Sequence, residues 1–191
     1  MTARIPPLPP EEWPPEMRDA LAALRPPHPR LPFPRREGRP KALNALGTLA
    51  RHPELARAFN TFNGHVLFAS TLSPRQRELL VLRVARLRES TYEWEQHAVL
   101  AADVGLESDE IDRIVLGPDA PGWSALDRAM LRSVDELVRD GRVSGDTWMA
   151  LANELDHQQL MDLVFTVGAY ETLAMAFRSF DVELDDDLRR K

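Results

Sequence analysis

Twelve of the sixteen prolines fall in residues 1–40. Proline fixes φ and has no amide donor, so this stretch cannot be one long helix. Pro14 to Leu24 leaves room for a short helix, with Pro14 or Pro15 in its first turn and Pro26-Pro27 beyond its end. The rest of the segment is expected to be extended. It is either an unfolded tail or an arm laid on the body or on a neighbouring subunit. Trp13, Leu31 and Phe33 are apolar anchors and favour the arm. From Lys41 onward apolar residues recur at helical spacing. The expected fold is therefore all-α: a Pro-rich arm over 1–40, a helical body over 41–184 and a charged, frayed tail ending in 185–191.

The helix boundaries follow from capping chemistry. Pro53 opens a helix whose stripe is Leu55, Phe59, Phe62 and Val66. Asn63-Gly64 interrupts that stripe without alternating flanks, so it reads as a helix irregularity rather than a hairpin. Ser73-Pro74-Arg75-Gln76 combines a cap, a first-turn proline and a capping-box glutamine. The helix it opens runs to about Arg88. Leu79 to Ala85 is apolar all round except for Arg83, so this helix is expected to be central and buried. Ser90-Thr91-Tyr92-Glu93 reads as a second capping box, opening a helix stopped near Gly105. Further helices are expected after the caps Ser108, Ser124, Ser144 and Asp156.

Composition removes several function classes. The chain has no cysteine, which excludes disulfides, thiol redox chemistry and thiolate metal ligands. The five histidines, His28, His52, His65, His97 and His157, show no close metal-ligand spacing, so no metal is expected. A formal charge of -6 argues against nucleic acid. The basic cluster of Arg35, Arg36, Arg39 and Lys41 is small and lies in the proline-rich segment, where it reads as solvated loop. No run reaches the roughly 18 apolar residues of a membrane span. The first residues lack the apolar centre of a signal peptide. No membrane partner and a cytoplasmic location are expected.

One region can carry chemistry. Glu78 lies on the buried helix, and Glu93 and His97 lie four residues apart on the next, sharing one face. A histidine titrates near neutrality and exchanges protons. A carboxylate among apolar neighbours has its pKa raised into the same range. Each group also has a plain structural reading. Glu93 can be the capping-box partner of Ser90, His97 can pair with Glu93, and Glu78 can pair with Arg75 or with an arginine from another helix. Spacing alone does not bring Glu78 to His97. In an antiparallel pair, Glu78 stands about 18 Å along the axis from the start of the second helix, whereas His97 is about two turns in.

The string from Leu72-Ser73-Pro74-Arg75-Gln76-Arg77-Glu78-Leu79 through Tyr92-Glu93-Trp94-Glu95-Gln96-His97 resembles the carboxymuconolactone decarboxylase family, which includes the alkyl hydroperoxidase D proteins. The resemblance extends upstream over Leu49-Ala50-Arg51-His52-Pro53-Glu54-Leu55. Downstream it takes in Asp135-Glu136-Leu137 and Val167-Gly168-Ala169-Tyr170, then Leu173-Ala174-Met175. It implies an all-helical, alkyl hydroperoxidase D-like bundle and a homo-oligomer, as dimer, trimer or hexamer. The peroxidase branch carries cysteines where this chain has Ser90 and Glu93, so the resemblance does not bring peroxidase activity. The decarboxylase branch needs no thiol and no cofactor. By that resemblance His97 is the general acid or base, Glu93 its orienting partner and Glu78 a second proton carrier.

A carboxylated substrate calls for cations, and Arg77 and Arg83 are the candidates. Trp94 and Ser90 complete the expected substrate-binding set. The function so read is a cofactor-independent decarboxylase or lyase-like enzyme on a small carboxylated or lactone metabolite. The alternative is a non-catalytic helical oligomer or ligand-binding protein, in which the same polar residues fix the fold.

Overall fold

The computed structural model describes residues 3–31 and 40–189. Phe33, Arg35, Arg36 and Arg39 lie outside the described residues. Among the described residues there are helices and no strands, so the fold is all-α. Two compact units are present: residues 1–70 with 176–191, and residues 71–175.

The first unit contains α1 (Met17–Ala22), α2 (Leu43–Leu49) and α3 (Pro53–Gly64). Its core is Met17, Ala20, Ala50 and Ala56, with Leu8, Trp13, Leu21, Leu46 and Leu49 packed against it. Leu8, Trp13, Met17, Ala20 and Leu21 of the proline-rich segment thus put their apolar side chains into this core. Trp13 Nε1 donates to the Leu8 carbonyl at 2.8 Å, and the Leu8 amide donates to the Gly47 carbonyl at 3.0 Å. A Cβ at Gly47 would stand 2.3 Å from the Leu8 carbonyl oxygen, so the arm lies on α2 where no side chain intervenes.

The face that α3 buries differs from the expected stripe. Leu55 is 54% exposed, while Ala56, Asn60 and Gly64 are buried. Close approach of the α1 end decides this, because it favours small or hydrogen-bonding residues over bulk. A Cβ at Gly64 would meet the Leu24 carbonyl oxygen at 2.7 Å, and Asn60 Nδ2 donates to the Ala20 carbonyl at 2.8 Å. Beyond Gly64 the helix continues as a π turn over His65–Ala69, the irregularity that Asn63-Gly64 suggested.

The charged tail is not frayed over its described length. Asp185 is 4% exposed, and its Oδ1 accepts the Asn44 amide at 2.7 Å. Helix α2 starts after Ala42, a left-handed residue with no capping side chain. Asp185 therefore supplies from the far end of the chain the carboxylate that this helix start needs.

The second unit holds α4 (Pro74–Leu87), α5 (Thr91–Asp103), α6 (Ser108–Leu116), α7 (Ala125–Asp140), α8 (Gly145–Ala152) and most of α9 (His157–Ser179). Helix α4 is the centre, packed by α5, α6 and α7, and Glu78 through Ala85 are all buried. Its capping box is formed as the sequence predicts. Ser124 and Ser144 accept from the amides of Asp127 and Thr147. Asp156 and Gln159 cap each other's backbone at the start of α9. At α6 the cap is Glu107, paired with Glu110, rather than Ser108.

Helix α9 has 23 residues and a mean hydropathy of 1.4 in its most apolar window. By length and composition alone it could cross a membrane. Half of that window is buried inside the fold, as in a core helix.

Candidate functional site

The α4–α5 junction presents the site, and its backbone geometry explains why the expected second capping box is missing. Helix α4 ends in two hydrogen bonds: the Ser90 amide donates to Ala85 at 2.8 Å and the Glu89 amide to Arg86 at 3.2 Å. Glu89 between them is left-handed, at φ 51°. This is a Schellman closure, made here without glycine. It consumes the Ser90 amide, which a capping-box glutamate at position 93 would have bound. Ser90 still takes the cap position of α5, but its side chain makes no capping bond. The expected reciprocal Ser90–Glu93 box is therefore corrected.

Across this junction Glu78 and His97 meet. His97 Nδ1 lies 2.6 Å from Glu78 Oε2. Helix α4 ends at Leu87 and α5 begins at Thr91. The two residues therefore stand about 13 Å and 9 Å from the facing helix ends, at 1.5 Å per residue. Two extended side chains cover a mismatch of about 4 Å, so neither a kink nor a neighbouring subunit is needed. Glu78 Oε1 also accepts from Arg77 at 3.0 Å. Burial pushes the Glu78 carboxyl up, but the His97 ring and the Arg77 guanidinium outweigh that and hold it below the ordinary carboxylate range. Glu78 is thus an ionised carboxylate at 1% exposure, with a partner on each oxygen. It does not pair with Arg75, which binds Glu110 and Asp127 instead.

Glu93 stands in the opposite state. It is 2% exposed, and neither of its oxygens has a hydrogen-bond partner. The Ser90 hydroxyl, 1% exposed as a residue, is likewise unpartnered. Burial raises the Glu93 pKa to about 8. The nearby Ser90 hydroxyl offsets part of this without reaching hydrogen-bond geometry, and the charge of Glu171 adds to the rise. Near neutral pH Glu93 is a neutral carboxylic acid. It is not the orienting partner of His97, because the ring nitrogen facing a carboxylate faces Glu78. The i,i+4 spacing of Glu93 and His97 places them on one face of α5, but the carboxylate at the ring comes from α4.

The other expected site residues divide between site and scaffold. Arg77 keeps 13% side-chain exposure and stays at the site through Glu78. Arg83 does not. Its guanidinium donates to Asp135 at 2.6 and 2.8 Å and to the Ile114 carbonyl at 2.8 Å. It also fills the space where a Cβ on Gly117 would stand, 2.7 Å from Nη2. Arg83 is a buried strut joining α4 to α7 and the end of α6, which corrects its expected place against substrate. Trp94 is half-buried.

Tyr170 was missed as a site residue. Its ring stands edge-on to His97, with centroids 5.0 Å apart at 88°, and it is 2% exposed. Burial, with the Glu78 charge, drives its hydroxyl pKa upward, so it stays protonated. The only hint in the sequence was its place in the downstream Val-Gly-Ala-Tyr string. Among the described residues no group of three or more histidines and carboxylates is placed to hold a metal ion.

The arrangement combines an ionised Glu78 carboxylate, in contact with the His97 ring, with a neutral acid one helical turn away. With Nδ1–H donating to Glu78, the His97 Nε2 is left to take or give a proton.

Comparison with known proteins gives a family match over part of the chain and a fold. Residues 53–136 match the profile of the carboxymuconolactone decarboxylase family. No curated protein matches the sequence. The debrominase Bmp8, as a cysteine-to-alanine variant in complex with 2,3,4-tribromopyrrole, superposes with a TM-score of 0.73 at 13% identity, over 99% of this chain and 95% of that one. An uncharacterized peroxidase-related protein from Ralstonia eutropha JMP134, an alkylhydroperoxidase AhpD core, gives 0.67 at 17% identity, over 85% and 95%. A peroxidase-related protein from Silicibacter sp. TM1040 gives 0.66 at 14% identity, over 76% and 79%. At these identities the likeness is one of fold.

Proposed function

Since residues 53–136 belong to the carboxymuconolactone decarboxylase family, in a cysteine-less form, we propose that the chain is a cofactor-independent acid–base enzyme of decarboxylase or lyase type. Its substrate is a small carboxylated or lactone metabolite in the cytoplasm. The observation that carries this reading is the 2.6 Å contact between His97 and the buried Glu78 carboxylate. A buried carboxylate holds the imidazole in one orientation and tautomer, and it stabilises the imidazolium when the ring takes a proton. Arg77 neutralises Glu78 on its other oxygen and keeps an exposed edge for an anionic substrate. Dithiol peroxide reduction lies outside the chemistry of this chain, which has no thiol.

The same reading has the chain assemble with copies of itself. Met161, Phe165 and Met175 on α9 are each more than half exposed, as is Met149 on α8. Spacings of four and ten residues put the three α9 side chains on one side of that helix.

The test is turnover of a panel of carboxylated lactones and β-oxo acids in deuterated water, followed by NMR. Carbon dioxide release with deuterium incorporation, lost in Glu78→Gln and in His97→Ala, is the expected result. Turnover unchanged in both variants would overturn the assignment.

A further inference from the structure

The proton-transfer pair does not use Ser90 or Glu93, although both are buried. Three of their oxygen atoms lack partners, and buried polar atoms without partners are rare in a folded protein. All three sit at the start of α5, on its cap residue Ser90 and on Glu93 of the first turn, and the cap makes no side-chain bond to this thirteen-residue helix. A helix start carries partial positive charge from its free amides. The Schellman closure of α4 fixes this situation, since it removes the amide that Glu93 would otherwise bind. Neither the Ser90 hydroxyl nor the Glu93 carboxyl has a partner in hydrogen-bond geometry.

We propose that Ser90 and Glu93, at the positive end of α5, form an oxyanion pocket that holds the substrate's carbonyl oxygen. The substrate class follows: compounds that become enolates, namely β-oxo acids and their vinylogous lactone counterparts. This rests on the proton-transfer reading above for the identity of the proton carrier. The bond between the carbonyl-activated carbon and its carboxylate breaks, and the electron pair moves onto the carbonyl oxygen as carbon dioxide leaves. The Ser90 hydroxyl and the Glu93 carboxyl O–H donate to that oxygen. The pair then returns to carbon, which takes its proton from the His97 imidazolium.

Distances permit this division of labour. Residues at i and i+4 on a helix have Cβ atoms about 5–6 Å apart. His97 keeps 12% side-chain exposure, the edge at which a small molecule meets this face of α5. A buried carboxyl kept neutral is suited to this task, because it stabilises developing negative charge and presents none of its own in the resting state.

The probe is 4-nitrophenol, whose phenolate absorbs visibly when an oxyanion site binds it. Titration is made on the full chain, without catalysis. The wild-type protein is expected to bind the phenolate form. Ser90→Ala and Glu93→Met each weaken binding about tenfold, the scale of one charge-assisted donor. Glu93→Gln, which keeps an N–H donor, retains most of the affinity, and circular dichroism checks each fold. Glu78→Gln and His97→Ala retain phenolate binding while losing turnover, so failure of the pocket and failure of the proton carriers are read separately. No phenolate binding by the wild-type protein overturns the proposal. Undiminished, wild-type affinity in both Ser90→Ala and Glu93→Met also overturns it, because the unpartnered oxygens would then serve a bound water only.

Discussion

His97 Nδ1 sits 2.6 Å from Glu78 Oε2, although the two residues are nineteen positions apart and on successive helices. The carboxylate also holds Arg77, so one buried anion binds a guanidinium on its own helix and an imidazole on the next. Its removal touches stability and chemistry together.

Glu78→Gln is expected to cost about 3–5 kcal/mol, the usual penalty for breaking a buried pair on one side. The sign with pH follows from the depressed carboxyl pKa. The stabilisation is present above the unfolded carboxylate pKa and is lost as pH falls through the lower folded value. Urea unfolding of wild type and variant should therefore show a wide gap at pH 7 that narrows in acid. A constant gap would contradict the charge argument.

Glu93 has the reverse dependence. Its folded pKa of about 8 lies above the ordinary 4.5. Its contribution is fully present below the unfolded value and is lost as pH rises through the folded one. The loss amounts to roughly 4–5 kcal/mol over that window. Thermal melts of the wild type between pH 5 and 9 should fall relative to those of Glu93→Gln, which has no proton to lose. Parallel curves would mean that Glu93 is already ionised or solvated.

Much of this architecture was legible in the sequence because it is written locally. The α4 capping box, the Ser124 and Ser144 caps and the apolar run Leu79 to Val84 each depend on a few neighbouring residues. Glu78 and His97 come together in a pairing that spacing does not announce. Glu93 and His97 satisfy the i,i+4 rule, yet the partner of His97 comes from α4. No periodicity announces that Glu89 adopts a left-handed conformation and diverts the Ser90 amide to Ala85. The burial of Ala56 in place of Leu55 was equally hidden, because the α1 backbone that crowds α3 lies some forty residues earlier in the chain.

Arg83 should behave as a strut. Arg83→Met leaves Asp135 without its fork and is expected to destabilise the fold by about 3 kcal/mol. The double variant Arg83→Met with Asp135→Leu should recover part of that loss, as a mutant cycle in chemical denaturation would register. Substrate KM should stay unchanged in folded Arg83→Met. A large rise in KM with little loss of stability would restore Arg83 to the site.

Phe165→Glu tests assembly. Phe165 is 55% exposed, between exposed Met161 and Met175 along α9. A charge there should leave the fold intact and shift sedimentation toward the monomer. An unchanged sedimentation coefficient would place the subunit contacts elsewhere.

The turn between α4 and α5 is closed by two main-chain bonds, from the amides of Ser90 and Glu89. Positions 90 and 93 are thereby relieved of architectural duty. The fold can exchange the reactive groups mounted there as a tool holder exchanges bits, so one helical hairpin can host unrelated chemistries with its backbone unaltered.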